Sequence, residues 1–179
     1  MKFLKLETKP SFGIVGYRKS TSVENNANLS DIPRFWRELT AAQQQALSQI
    51  LIAGHAGMIG VSANEKKGHF DYWLAVVSLK NAVSADRFER LEIPEANYAV
   101  FSVKGALPEA LEQAWREIYQ DWLPQSGFQL ANRPQIEWTP AGKTQSQDYG
   151  CEIWLAVEAK TASGGAWKSV VAQYEGFKK

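Results

Sequence analysis

Along the chain the spacing of apolar positions changes in an order that repeats: a short apolar run, a stretch with helical periodicity, then two further runs. Phe12 to Tyr17 reads as a short strand ending in a turn that contains Gly16, and the polar stretch from Arg18 to Ser30 as a long connector forming a rim or lid. Asp31 and Pro33 mark a helix start, after which Ile32, Phe35, Trp36, Leu39, Ala46, Leu47 and Ile50 return on one face. Gly54 and Gly57 break that run. Met58 to Val61 then reads as a short strand, Ser62 to Gly68 as a polar turn, and Phe70 to Val77 as a strand rich in aromatic and branched residues.

The same succession returns in the second half. Tyr98 to Val103 is a strand closed by Gly105, and Pro108 opens a helix with the stripe Leu111, Ala114, Trp115, Ile118 and Trp122. Asp121 to Pro134 leads to a short strand around Ile136 and Trp138, and Cys151 to Val157 forms the last strand. The repetition is also literal: WLAV occurs at Trp73 to Val76 and at Trp154 to Val157, 81 residues apart, while Trp36 and Trp115 differ by 79. These observations predict an α+β fold of two β-α-β-β units with pseudo-twofold character, an antiparallel sheet and helices on one face. The remaining faces of the two units are expected to meet or to frame a groove. No long Pro/Gly/Ser linker separates the halves, so residues 1–160 read as one domain and 161–179 as a C-terminal extension.

Composition narrows the function classes. With 20 Lys plus Arg against 19 Asp plus Glu, the net charge of +1 gives no strongly basic surface for nucleic acid. The single cysteine, Cys151, excludes an intrachain disulfide and favours a reducing compartment. The longest stretch without a charged residue, Leu39 to Asn64, carries Gln43, Gln44, Gln45, Ser48, Gln49 and His55 and is no membrane span. The opening MKFLKLETKP has too short an apolar region for a secretory signal, and cytoplasmic residence is the expectation.

Seven Trp, six Tyr and eight Phe need burial or a ligand. Trp36, Trp115 and Trp122 fall on helical stripes and are expected in the core. In Phe70 to Val77 both alternating faces are largely apolar, so this strand is expected to be covered twice, by the other repeat, the tail or a bound molecule. Glu137, in the sequence IEW, is the acid that stands out. Either it is an ordinary exposed strand carboxylate, or it points into a partly dry cleft, where it needs a donor or a cationic ligand. Aromatic faces around such a cation add attraction without demanding strict shape. Tyr72, Tyr98, Trp138 and Trp73 are the candidate aromatic companions of Glu137, and Glu152 has a similar alternating context. His55 and His69 lack companions at a metal-ligand spacing, so no metal is expected. Cys151 reads as a small buried hydrophobe, and LIAGHAGMIGV lacks the order and the Lys-Ser/Thr ending of a phosphate loop. No cofactor is expected.

Several segments, in order over roughly Lys5 to Lys160, resemble the GyrI-like effector-binding family, which also forms the regulatory half of some multidrug-sensing and AraC-type activators. They are FGIVGYR from Phe12, IPRFW from Ile32, GHFDYWLAV from Gly68, LEIPEANYAVFSVKG from Leu91, WREIYQDWLPQSGFQL, PQIEW and CEIWLAV. The resemblance implies an SHS2-type duplicated domain with a cleft between its halves, where Glu137 corresponds to the glutamate that faces organic ligands. It implies binding of small aromatic or cationic molecules by a stand-alone sensor or sequestering protein. Hydrolysis of strained electrophilic toxins through Glu137 and a gyrase-inhibitor-like interaction with a protein partner are the alternatives. No DNA-binding segment precedes the module, so direct DNA binding is not expected. Trp167, Val170, Val171, Tyr174 and Phe177 give the extension side chains with which to dock on a partner.

Overall fold

The structure, a computed structural model, describes residues 1–50, 57–78 and 88–160. In chain order the strands are β1 (Lys2–Lys9), β2 (Phe12–Ser22), β3 (Gly57–Lys66), β4 (His69–Ser78), β5 (Glu89–Ile93), β6 (Ala96–Lys104), β7 (Phe128–Leu130), β8 (Gln135–Pro140) and β9 (Gly150–Ala159). Helices α1 (Ala27–Glu38) and α2 (Ala41–Ser48) lie between β2 and β3. Helix α3 (Glu109–Glu117) follows β6 and continues through a π-helical turn, Ile118–Trp122, into α4 (Leu123–Gln125).

All neighbouring strands are antiparallel, in the order β1-β6-β9-β8-β3-β4-β2-β5, with β7 pairing on β9. From the central β3–β8 pair outward, each half repeats the other: β3-β4-β2 on one side and β8-β9-β6 on the other. The halves therefore join edge to edge through backbone hydrogen bonds, rather than face to face as the repeat alone allowed. The outermost strands are exchanged. β1, which precedes β2, pairs with β6 of the second half, and β5, which precedes β6, pairs with β2 of the first.

The WLAV repeat locates the pseudo-twofold axis. Trp73 pairs with Val61 and Trp154 pairs with Ile136, and Val61 and Ile136 are opposite each other in the β3–β8 ladder. One step along, Ser62 is thus the counterpart of Glu137, and Tyr72, which pairs with Ser62, the counterpart of Ile153, which pairs with Glu137.

Local chemistry moves several predicted boundaries. β2 runs on to Ser22 and helical turns begin at Glu24, so the polar connector after Tyr17 is strand and then helix and no long rim. Gly16 lies inside it against β4, where a Cβ would stand 2.2 Å from the Leu74 carbonyl oxygen. The single predicted helix is two. Extended Leu39 ends α1, and Thr40 starts α2 with a capping box in which its hydroxyl accepts from the Gln43 amide. Pro33 lies within α1, and Asp31 ties that helix to the sheet by accepting from the Thr21 hydroxyl at 2.8 Å. The proposed extension at 161–179 lies outside the described residues, as do His55 and Gly54.

The helix-side face packs against the helices in two groups. Phe101, Ile153 and Leu155 meet Leu111, Ala114, Ile118 and Leu123 in one half, and Leu74 and Val76 meet the α1/α2 side in the other. The opposite face carries its own buried cluster, with Ile14, Val61, Trp73, Tyr98, Val100 and Ile136. Both faces of β4 are therefore buried, as its two-sided apolar pattern predicts.

Candidate functional site

Alternation along β8 sends Ile136 and Trp138 to one face and Glu137 to the other, the face that carries the helices. Glu137 there lies on the floor of a cavity of about 1460 Å³ between the two helical groups. Gly60, opposite it on β3, leaves the space in which Tyr72 reaches across from β4. The Tyr72 hydroxyl donates to Glu137 Oε2 at 2.7 Å, and the Trp115 indole N–H of α3 donates to Oε1 at 2.6 Å. Trp36 of α1 joins from the other side, its indole N–H donating to the Tyr72 hydroxyl at 2.9 Å. Each helix thus places one tryptophan on the same carboxylate, one directly and one through a tyrosine.

Glu137 keeps part of its accessible surface and lines the cavity. Burial pushes its pKa above the ordinary carboxylate range, against the opposing pull of the hydrogen bonds from Trp115 and Tyr72. Both donors are neutral. They satisfy the lone pairs of the carboxylate without balancing its charge, and among the described residues no cationic group forms an ion pair with it. Tyr119, stacked on Trp115 with ring centroids 5.6 Å apart, has its phenol pKa raised by burial and by the charge of Glu137.

The direction of that shift has an observable consequence. Because the folded state holds the Glu137 proton more tightly than the unfolded chain, the stability contributed by the protonated form is fully present below the unfolded pKa. It is lost as pH rises through the folded pKa. Relative to a Glu137→Gln variant, wild-type unfolding free energy from urea titrations is expected to fall with rising pH in that window, by at most about 1.4 kcal/mol per pH unit. Parallel pH profiles of the two proteins would refute the shift.

Of the five predicted site residues, the structure brings Glu137 and Tyr72 together and places the other three elsewhere. Trp73 and Trp138 are the immediate chain neighbours of Tyr72 and Glu137, so alternation turns them to the opposite face, where Tyr98 also lies. Tyr98 is fully buried there, its hydroxyl donates to the Pro134 carbonyl at 3.3 Å, and burial pushes its pKa up to about 12. Glu152 is on that face too, accepting from the Trp154 indole at 2.7 Å. Trp115 is buried in one core cluster and Trp36 packs against another, as the stripe predicts, and both are also functional candidates that the stripe concealed. Their spacing of 79 between matching helix positions is the signal that could have singled them out. Trp122 packs in the core as well, against Phe3, Phe101 and Phe128. The Cys151 thiol, buried and raised to about 12 chiefly by burial, is no nucleophile. Among the described residues no group of three or more His, Cys, Asp and Glu could hold a metal, and no helix is long and apolar enough to cross a membrane.

A duplicated antiparallel sheet with a helix-walled cavity over its central strands defines an effector-binding domain of the GyrI-like, SHS2 type. The chain belongs to the family described as Cass2, integron-associated effector binding protein, which matches residues 5–157. Among solved structures it is similar to the protein SAV2435 bound to tetraphenylphosphonium, with 25% identity and a TM-score of 0.75, covering 88% of this chain and 94% of that one. A putative bacterial transcription regulation protein from Staphylococcus aureus MU50 shares the fold at 23% identity and a TM-score of 0.72, over 89% of this chain and 99% of that one. So does the integron cassette protein VCH_CASS2 from the Vibrio cholerae mobile metagenome, at 18% identity and 0.64, over 88% and 98%. Among curated proteins no sequence matches.

Proposed function

We propose that the cavity binds a lipophilic organic cation, with Glu137 as the charge partner and Trp36, Tyr72 and Trp115 as its aromatic surround. The observation that carries this reading is a carboxylate set deep in a protein cavity, held by two neutral donors and by no cation among the described residues. Such a group is costly when ionised alone and gains most from a ligand that brings the missing positive charge. Indole and phenol faces favour the same ligand, through cation–π attraction and through burial of its apolar surface. The binding of tetraphenylphosphonium by the similar protein SAV2435 supports the class of ligand.

Because both oxygens of Glu137 are already engaged by the Tyr72 and Trp115 donors, we read the site as one for binding rather than for turnover. We further propose a cytoplasmic sensor or sequestering protein whose occupied state is read by a protein partner, not by direct DNA contact. Calorimetry with tetraphenylphosphonium and with triphenylphosphine oxide, a neutral molecule of related shape, tests the central point. The cation is expected to bind the wild type at least tenfold more tightly than the oxide. Equal affinity for the two, or no binding of the cation, would overturn the assignment.

A further inference from the structure

Among the polar residues of the cavity wall, Asn28 stands where the two halves of the molecule differ. At the spacing of 79, Ile32 and Trp36 of α1 match Leu111 and Trp115 of α3, and Asn28 matches Leu107 in the turn just before α3; all six residues line the cavity. Two of the pairs are alike in kind. At the third, the second half carries leucine and the first carries asparagine.

Asn28 is 3% exposed, and its Oδ1 is buried without a hydrogen-bond partner. Buried polar atoms are almost always paired, and a leucine there would leave nothing unpaired. Asparagine also brings no gain in helix propensity. From Asn28 to Trp36 the helix advances about 12 Å, which sets the carboxamide well along the cavity from the Trp36–Tyr72–Glu137 chain. Phe70, Asn64 and Lys66 of the β3–β4 hairpin also line the cavity.

We infer that Asn28 is a second anchor of the cavity, taking the hydrogen-bonding group at the far end of an elongated aromatic cation whose charge sits at Glu137. The inference rests on the cation-binding reading of Glu137 given above. A carboxamide both donates and accepts, so the ligand group it complements best is an amide or another planar donor–acceptor pair.

Two probes separate this inference from the reading beneath it: biphenyl-4-yl-trimethylammonium bearing at the 4′ position either a carboxamide or the isosteric isopropenyl group. Calorimetry is expected to show the carboxamide probe binding wild-type protein about tenfold more tightly, the effect of one well-made hydrogen bond. In Asn28→Leu and Asn28→Ala that preference is expected to vanish or reverse, while Glu137→Gln weakens both probes. If the wild type binds both equally, with Glu137 still required, the Asn28 anchor is wrong and the cation site stands. A preference that survives in both Asn28 variants would likewise overturn it. If neither probe binds, the cation site falls and the anchor with it.

Discussion

Glu137→Gln is expected to lower the affinity for tetraphenylphosphonium by about 30-fold to several thousand-fold, equivalent to about 2–5 kcal/mol, the range for truncating one partner of a buried, hydrogen-bonded charge pair. Glutamine is nearly the same size as glutamate, and its carbonyl oxygen can still accept from the Trp115 indole. Its amide nitrogen can donate to the Tyr72 hydroxyl, reversing the sense of that hydrogen bond. Shape and both polar contacts are thus kept while the charge is removed, so the variant should fold. The neutral triphenylphosphine oxide should bind the variant at least as well as it binds the wild type, because an amide N–H is a better neighbour for a phosphoryl oxygen than a carboxylate is. Inversion of the cation-to-neutral ratio is therefore the expected result. Equal weakening of both probes would point to a collapsed cavity, and no weakening of either would remove Glu137 from the site.

Glu137 was legible in the sequence because alternation in a strand of a few residues leaves an acid flanked by Ile136 and Trp138 only one face to occupy. The two-unit architecture was legible from WLAV and from the order of the elements, since repeated side chains on paired strands must serve equivalent places. The edge strands were not. In β1 the pattern Lys2, Lys5, Glu7 and Lys9 reads as polar surface, and the register shift between Phe3 and Lys5 breaks the alternation that would reveal a strand. β5, with the sequence ERLEI, is short, and three of its five residues are charged. Both are edges with one flank unpaired, so little burial constrains their composition.

The helix tryptophans pack in the core as the stripe predicts, but their polar contacts were not legible, for a different reason. Periodicity reports which face of a helix is apolar, and Trp36 and Trp115 obey it, but an indole also carries a donor whose destination depends on residues far away in the chain. The acceptors are Tyr72 and Glu137, on strands of different halves, and the edge-to-edge β3–β8 pairing brings them together. The three misplaced aromatics show the converse. Trp73 and Trp138 could have been excluded by parity alone once Tyr72 and Glu137 were assigned to one face, whereas Tyr98 required the β6–β9 register that sets it beside Trp154 on the far face.

Gly60→Ala is expected to cost the site most of its cation affinity, at least tenfold, while costing the fold only about 1–3 kcal/mol, as for a small overpacking. The added Cβ would lie 2.2 Å from the Tyr72 hydroxyl and 2.7 Å from Glu137 Oε2. Both atoms are side-chain ends, so the chain can relieve the overlap, but only by moving apart the two groups whose hydrogen bond organises the floor. Tyr72→Phe removes the closest of these atoms yet leaves the ring carbon Cζ at 3.0 Å and the carboxylate in place. In a double-mutant cycle read by tetraphenylphosphonium affinity, the combined variant should therefore lose less than the sum of the single losses, by about 0.5–3 kcal/mol as for residues in direct contact. Strict additivity would mean that Gly60 acts on the site by some route other than the space it gives Tyr72. A Gly60→Ala protein that binds the cation as the wild type does would show that the Tyr72–Glu137 contact is dispensable for the ligand. The comparison with Gly16→Ala is the internal control: there the obstruction is the backbone oxygen of Leu74, at 2.2 Å, which cannot swing aside, so the loss should appear in the urea midpoint. One glycine guards the chemistry of the floor and the other the pairing of two strands, and the two assays should tell them apart.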